Sequence, residues 1–162
     1  MMRIVLFILS FGLFISCDLI GNRVEIKFDQ ETFNNQRQLW QASEVKNYTY
    51  RLRSPGFFNY DGKILVKDGE FNDHIPTESS DGINAFMNHA SIDEIYRTID
   101  LFFSSNNNKN RKPDDVYLSE ISVTYDIVNH IPIEIHYINY IPQGVHITAI
   151  NDFYISDFVN TD

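Results

Sequence analysis

The pattern of apolar residues predicts a single α+β domain: an antiparallel β-sheet of about five or six strands with two helices packed on one face. Three observations lead there. Two stretches repeat bulky groups every three to four residues, several others alternate with period two, and the order is helix, two or three strands, helix, three strands. Such segregation suits helices stacked on an antiparallel sheet rather than alternating βα units.

The first helix is expected over Asp29 to Lys46, where Phe33, Gln36, Leu39, Trp40 and Ser43 mark one stripe. Asp29 is its expected N-cap, and Glu31 puts negative charge in the first turn. From Asn47 the period becomes two, with Tyr48, Tyr50 and Leu52 on one face and Thr49, Arg51 and Arg53 on the other. A second strand is expected within Phe57 to Lys67, a hairpin turn at Lys67-Asp68-Gly69-Glu70, and a third strand through Phe71 and Ile75. Thr77 to Ala90 reads as a loop. Ser91 then caps a helix with Glu94 in the capping-box position and Ile92, Ile95, Tyr96, Ile99, Phe102 and Phe103 as its apolar stripe. The polar, Asn-rich segment Ser104 to Asp115 is expected to be a loop. Three strands follow: Val116 to Asp126, Ile131 to Asn139, and roughly Ile147 to Phe158. Pro132 and Pro142, lacking an N–H, belong at strand starts, edges or turns.

At 162 residues the chain suits one domain. A 43% hydrophobic and 14% aromatic composition supplies enough apolar surface for a packed core. Formal charge is -9; removing residues 1 to 16 takes away Arg3 and no acid, leaving 12 basic against 22 acidic residues, or -10. Clustered Lys and Arg are what nucleic-acid binding relies on, so no nucleic-acid partner is expected.

Met1-Met2-Arg3 followed by the uncharged apolar run Ile4 to Ile15 has the form of an export leader. The run is too short for a spanning helix, which needs about 20 apolar residues. Ser16 and Cys17 follow it, and Phe14-Ile15-Ser16-Cys17 resembles the lipobox of bacterial lipoproteins, in which a small residue precedes a cysteine that takes a diacylglycerol and becomes N-terminal. Phe14 stands where Leu is commoner. Cys17 is the sole cysteine, so no intramolecular disulfide exists, and acylation would consume a thiol otherwise liable to oxidation after export. The expected organisation is a signal peptide over residues 1–16, an acylated cysteine with a tether or lead-in over 17–27, and one domain over 28–162. The expected location is the cell envelope, with the exported domain bound to a membrane through palmitate or similar acyl chains on Cys17. Asp18 resembles the inner-membrane retention signal of enteric bacteria; inner and outer membranes both stay open.

Trp40 with Asn47-Tyr48-Thr49-Tyr50, the Val66-Lys67-Asp68-Gly69 turn, the Ser91 to Tyr96 helix opening, Val123 to Asp126 with Ile131 to Ile135, and Ile155 to Phe158 together resemble an uncharacterised bacterial family of secreted proteins and lipoproteins, domain of unknown function 6174. The resemblance covers most of residues 33–158 and implies fold and compartment, with no catalytic residues. Many relatives place a cysteine pair where this chain has Arg53 to Phe58, so thiol chemistry of that place is missing here.

No catalytic residues and no cofactor are predicted. Histidines 74, 89, 130, 136 and 146 raise a metal site as an alternative, with His136 and His146 on neighbouring strands and Glu134 beside them, because two imidazoles and a carboxylate can hold zinc or copper. Solvent-facing strand histidines are the preferred reading. The acids Asp114, Asp115, Glu120, Asp126, Asp152 and Asp157 lack calcium-loop spacing. The aromatics Tyr48, Tyr50, Phe57, Phe58 and Tyr60 could line a groove, but alternation favours a core face. No Gly-x-Ser-x-Gly elbow or glycine-rich phosphate loop is present. The expected function is therefore a non-enzymatic envelope lipoprotein whose sheet binds an envelope protein or other component, ahead of small-ligand or metal binding and of a hydrolase with an unrecognised site.

Overall fold

The computed structural model describes residues 23–55, 59–77, 90–112, 114–144 and 151–162. Their elements run β1 (Arg23–Val24), β2 (Lys27–Phe28), α1 (Gln30–Ala42), β3 (Tyr48–Ser54), β4 (Tyr60–Lys67), β5 (Glu70–Pro76), α2 (Ile92–Asn106), β6 (Lys109–Asn110), β7 (Tyr117–Asp126), β8 (Ile131–Tyr140) and β9 (Asn151–Asn160). Seven strands form one sheet in the order β2-β7-β8-β9-β3-β4-β5, and β1 pairs with β6 in a separate ribbon.

The α+β class and the two helices match expectation, but the sheet is mixed and larger than predicted. Lys27 and Phe28 lie parallel to Glu120 and Ile121, whereas the other pairings of the sheet are antiparallel. A two-residue strand carries no alternation to read, so β1, β2 and β6 have no signature in the sequence. The segment through residue 27 is more than a tether from Arg23 onward: Ile26 is buried, and its amide donates to Asn107 Oδ1 just beyond α2. Likewise, the Asn-rich segment after Ser104 is not all loop, since α2 continues to Asn106 and Lys109–Asn110 pairs with Arg23–Val24. Ser104 and Ser105 hydroxyls and the Asn106 side-chain amide donate back to the Leu101 and Phe102 carbonyls in the last turn of the helix, in addition to its backbone bonds.

Asp29 caps α1 as predicted, accepting from the Thr32 amide at 3.0 Å. The helix stops at Ala42, short of Lys46. Ser43 Oγ bonds back to the Trp40 carbonyl, Glu44 takes φ +55°, and the amides of Lys46 and Asn47 are held by the Asp162 carboxylate. The β4–β5 hairpin turns at Asp68 (φ +55°) and Gly69 (φ +82°), the paired left-handed conformations that two-residue hairpins favour. Gly62 answers a packing demand instead: a Cβ there would overlap the Tyr60 hydroxyl and come 2.9 Å from the Ile75 carbonyl oxygen.

Both helices lie on the face that β3 builds from Tyr48, Tyr50 and Leu52. Trp40 of α1 meets the Tyr48 ring edge-on at 5.4 Å, and Phe33 meets Tyr96 of α2 at 5.5 Å. Tyr96 in turn stacks on Tyr125 of β7. At α2's start, the buried Ile92 amide donates to Tyr48 Oη at 2.9 Å and Tyr50 Oη donates to the Ala90 carbonyl at 2.7 Å. Ser91 Oγ accepts from the Glu94 amide. The Glu94 carboxylate pairs with Arg97, so the cap is completed by a phenol from the sheet. The Ile147 to Phe158 prediction is met from Asn151 onward; residues 145–150 and most of the Thr77 to Ala90 loop lie outside the described residues.

Removing the Tyr48 hydroxyl orphans a buried amide, which costs about 1–3 kcal/mol. Tyr48→Phe and Tyr50→Phe are each expected to lower unfolding free energy by that order, while outward-facing Thr49→Ala changes it by less than about 0.5 kcal/mol. Urea denaturation of the three variants checks this, and equal effects at positions 48 and 49 would refute it.

Candidate functional site

With the helices on one face, the other face of the sheet is left without a covering layer among the described residues. Alternation decides what it shows. Because Tyr48, Tyr50 and Leu52 point inward, Thr49, Arg51 and Arg53 point out. Adjacent strands add Asp61 and Lys63 from β4, Asp152 and Tyr154 from β9, Glu134 and His136 from β8, and Ser122 from β7.

Register arranges these groups in rows. Ser122 stands opposite His136, and His136 opposite Asp152. Glu134 stands opposite Tyr154, Tyr154 opposite Arg53, and Arg53 opposite Asp61. His136 Nδ1 lies 2.8 Å from Asp152 Oδ1, and its Nε2 lies 4.0 Å from Glu134 Oε2. The imidazole also meets the Tyr154 ring edge-on, and the Arg53 guanidinium covers that ring at 4.9 Å. On the next diagonal, Arg51 grips Asp61 with two hydrogen bonds of 2.7 Å. Those bonds, helped by the charges of Arg51 and Arg53, hold the Asp61 carboxyl below its ordinary value and raise the Arg51 guanidinium above its own.

The surface is therefore an ordered lattice of mixed charge and aromatic rings. Asp152 can fix the tautomer of His136 by accepting from Nδ1–H, leaving Nε2 facing Glu134. A serine, an imidazole and a carboxylate stand in one row, but the described cavities lie elsewhere. One of about 10 Å³ sits under α2 between Leu52, Ile95 and Tyr137, and one of about 170 Å³ lies at the β2–β7 edge by Asp29 and Tyr125. Neither is lined by His136 or Asp152. Among the described residues, no three His, Cys, Asp or Glu side chains are grouped to hold a metal ion.

Of the predicted site residues, His136 is placed on the open face, while Cys17 and His146 lie outside the described residues. His136 finds Asp152 on β9. That contact follows from register, which the sequence does not display. His130 joins the helical layer instead, with Nδ1 3.0 Å from Gln36 Oε1. The aromatic groove considered for Tyr48, Tyr50 and Tyr60 is core: all three are buried, and Phe57 and Phe58 lie outside the described residues. The acidic residues are dispersed in structural tasks. Asp126 accepts from the Val128 and Asn129 amides in the β7–β8 turn, Asp115 accepts from the Lys112 amide, and Glu120 pairs with Lys27. No helix among the described residues is long and apolar enough to cross a membrane.

A one-sided sheet under two helices, with a polar lattice on its free face, defines the class of domain. Residues 32–146 match the model of a family of unknown function (DUF6174), and the chain belongs to that family. No curated protein and no solved structure gives a match.

Asp61, Asp29, Asp126 and Asp162 all have carboxyls held below the ordinary value: Asp61 by Arg51, Asp29 by the Thr32 amide, Asp126 by the Asn129 side chain and Asp162 by the Lys46 amide. A lowered folded pKa stabilises the fold above the unfolded value of about 3.9 and loses that effect as pH falls through the folded value. The urea midpoint is expected to drop between about pH 4 and pH 2, and less steeply in Asp61→Asn than in the wild type. Identical slopes for the two proteins would show that the Arg51–Asp61 pair contributes nothing.

Proposed function

We propose that this chain is an exported lipoprotein of the bacterial envelope, cut before Cys17 and held to a membrane by acyl chains on that cysteine. Its open sheet face binds a protein or other envelope component without catalysis. The observation that carries the binding role is the uncovered lattice of Arg53, Tyr154, His136 and Asp152, in which side chains are already positioned by their neighbours before any partner arrives. Preorganised Arg and Tyr are favoured anchors at protein interfaces because little rotamer freedom remains to be lost on binding. The leader and the lone Cys17 support the anchor.

Expressed with its leader in a bacterial host, the wild-type chain should incorporate radiolabelled palmitate, and Cys17→Ser should lose the label and keep the leader. A photo-crosslinking amino acid at Tyr154 should trap a discrete adduct in envelope preparations, whereas the same group at Asn35 on α1 should not. Matching adduct patterns from the two positions would refute the binding face.

A second reading, metal binding, has one contact behind it: His136 keeps Nε2 toward Glu134 at 4.0 Å while Asp152 holds Nδ1, so a metal ion there would take Nε2 and draw its other ligands from outside the described residues. Titration of the wild type, His136→Ala and His146→Ala with zinc and copper separates it from the first. Absence of micromolar binding by the wild type removes it.

A further inference from the structure

Exposed apolar side chains crowd one end of the molecule. Leu101 and Phe102 near the end of α2, Val116 ahead of β7, and Ile138, Tyr140 and Ile141 at the close of β8 are each between 38% and 50% exposed. They flank the end of the sheet from both sides, the α2 residues on the helix side and Ile138 and Tyr140 on the open side. Tyr117 pairs with Tyr140 and stacks on it at 4.9 Å, Glu120 pairs with Ile138, and the Phe102 ring lies 4.8 Å from Tyr137.

The described chain begins at this same end. Arg23–Val24 pairs with Lys109–Asn110, Ile26 is tied to Asn107 beyond α2, and Lys27 enters beside Glu120 in the first half of β7. From Cys17 to Arg23 there are six peptide units, which span at most about 20 Å at full extension. The far end of the sheet, where Ile127 and Val128 are 78% and 79% exposed, lies roughly 20 Å beyond Lys27 along β7. A tether fixed at Cys17 therefore keeps the Tyr117–Tyr140 end near its attachment point.

Chemistry at that end suits a lipid surface. The Arg111 guanidinium sits over the Tyr117 ring at 5.7 Å, with Arg23, Lys109 and Lys112 on the neighbouring backbone. The acids there, Glu25, Asp114 and Asp115, leave it close to neutral in a chain whose net charge is -9. Tyrosine rings favour the level of lipid headgroups, and Lys and Arg stems reach past apolar surface to phosphates.

We propose that this end of the domain docks on the phospholipid surface of the membrane that carries its own Cys17 anchor. Tyr117 and Tyr140 lie at headgroup level, with Val116 and Ile141 against the acyl boundary and Arg111 and Lys109 on lipid phosphates. The inference rests on acylation of Cys17. It fixes the orientation of the domain and leaves the Arg53–Tyr154–His136 lattice, further along the open face, clear of the membrane.

The full chain, produced with its leader and reconstituted into vesicles of brominated phosphatidylcholine and phosphatidylglycerol, tests this through added tryptophans. Trp40 is 3% exposed and gives a constant background. Tyr140→Trp is expected to lose most of the added emission to bromine quenching, and Ile127→Trp to lose none. Lys109→Glu with Arg111→Glu should weaken the Tyr140→Trp quenching. Mass spectrometry of the same samples reads Cys17. Acylated protein that floats with vesicles yet shows no quenching at Tyr140→Trp, or equal quenching at both positions, overturns docking and leaves the anchor standing. An emission blue shift at Tyr140→Trp that grows with protein density without quenching assigns the patch to a second copy and likewise overturns docking. A bare Cys17 overturns both.

Discussion

Everything in this fold depends on the inward pair Tyr48 and Tyr50 meeting the first turn of α2. A strand has only two faces, so committing those phenols to the helices commits Thr49, Arg51 and Arg53 to the opposite side. The hydrogen bonds from the Ile92 amide and to the Ala90 carbonyl fix the registry between the layers, since a slip of one residue would bury two guanidinium groups and expose both phenols. Core and candidate surface are thus two outcomes of one alternation. Trp40, Phe158 and Tyr96 extend the same aromatic packing across both helices and the neighbouring strands.

Much of this is legible in the sequence because the signals are local. Period two in Tyr48-Thr49-Tyr50-Arg51-Leu52 marks β3, Asp29 and Ser91 mark helix starts, and Asp68-Gly69 marks a hairpin. What stays hidden is set by contacts between distant segments. The parallel strand Lys27–Phe28 is too short to show a period and exists because β7 offers an edge to it. Strand β9 lies between β8 and β3, so Tyr154 reaches Arg53 across about a hundred residues of chain, and no spacing announces that. His136 has a neighbour whose identity depends on where β9 begins. With Asn151 opposite Tyr137, the partner is Asp152. Extra residues in β7 opposite β8 and in β9 opposite β3 displace the alternation further, and Asp157 of β9, with φ +52°, returns Phe158 to the core side.

The two proposed surfaces are compatible because they occupy different parts of the sheet. The apolar end gathers where the chain leaves for Cys17, whereas the Arg53–Tyr154–His136 lattice occupies the middle of the open face. A lipoprotein bound in this way would hold its lattice at a fixed angle to the membrane, and a partner would have less orientational freedom to lose on binding. Membership in a family without assigned function leaves this division of labour as the feature most worth comparing among relatives, starting with Arg53 and His136 within the matched residues.

Ionisation of the tyrosines gives the most direct test of the central packing. Burial raises the phenols of Tyr48, Tyr50, Tyr96, Tyr125 and Tyr137 above their ordinary value, and that of Tyr60 to about 12. Raised values stabilise the fold fully below the unfolded phenol value of about 10, and this contribution is lost as pH climbs above it toward the folded values. Alkaline titration followed by ultraviolet difference absorbance and circular dichroism should show these six phenols ionising only together with loss of secondary structure. Reversible ionisation of all the tyrosines near pH 10 with the fold intact would contradict the burial of Tyr48 and Tyr50 beneath α2.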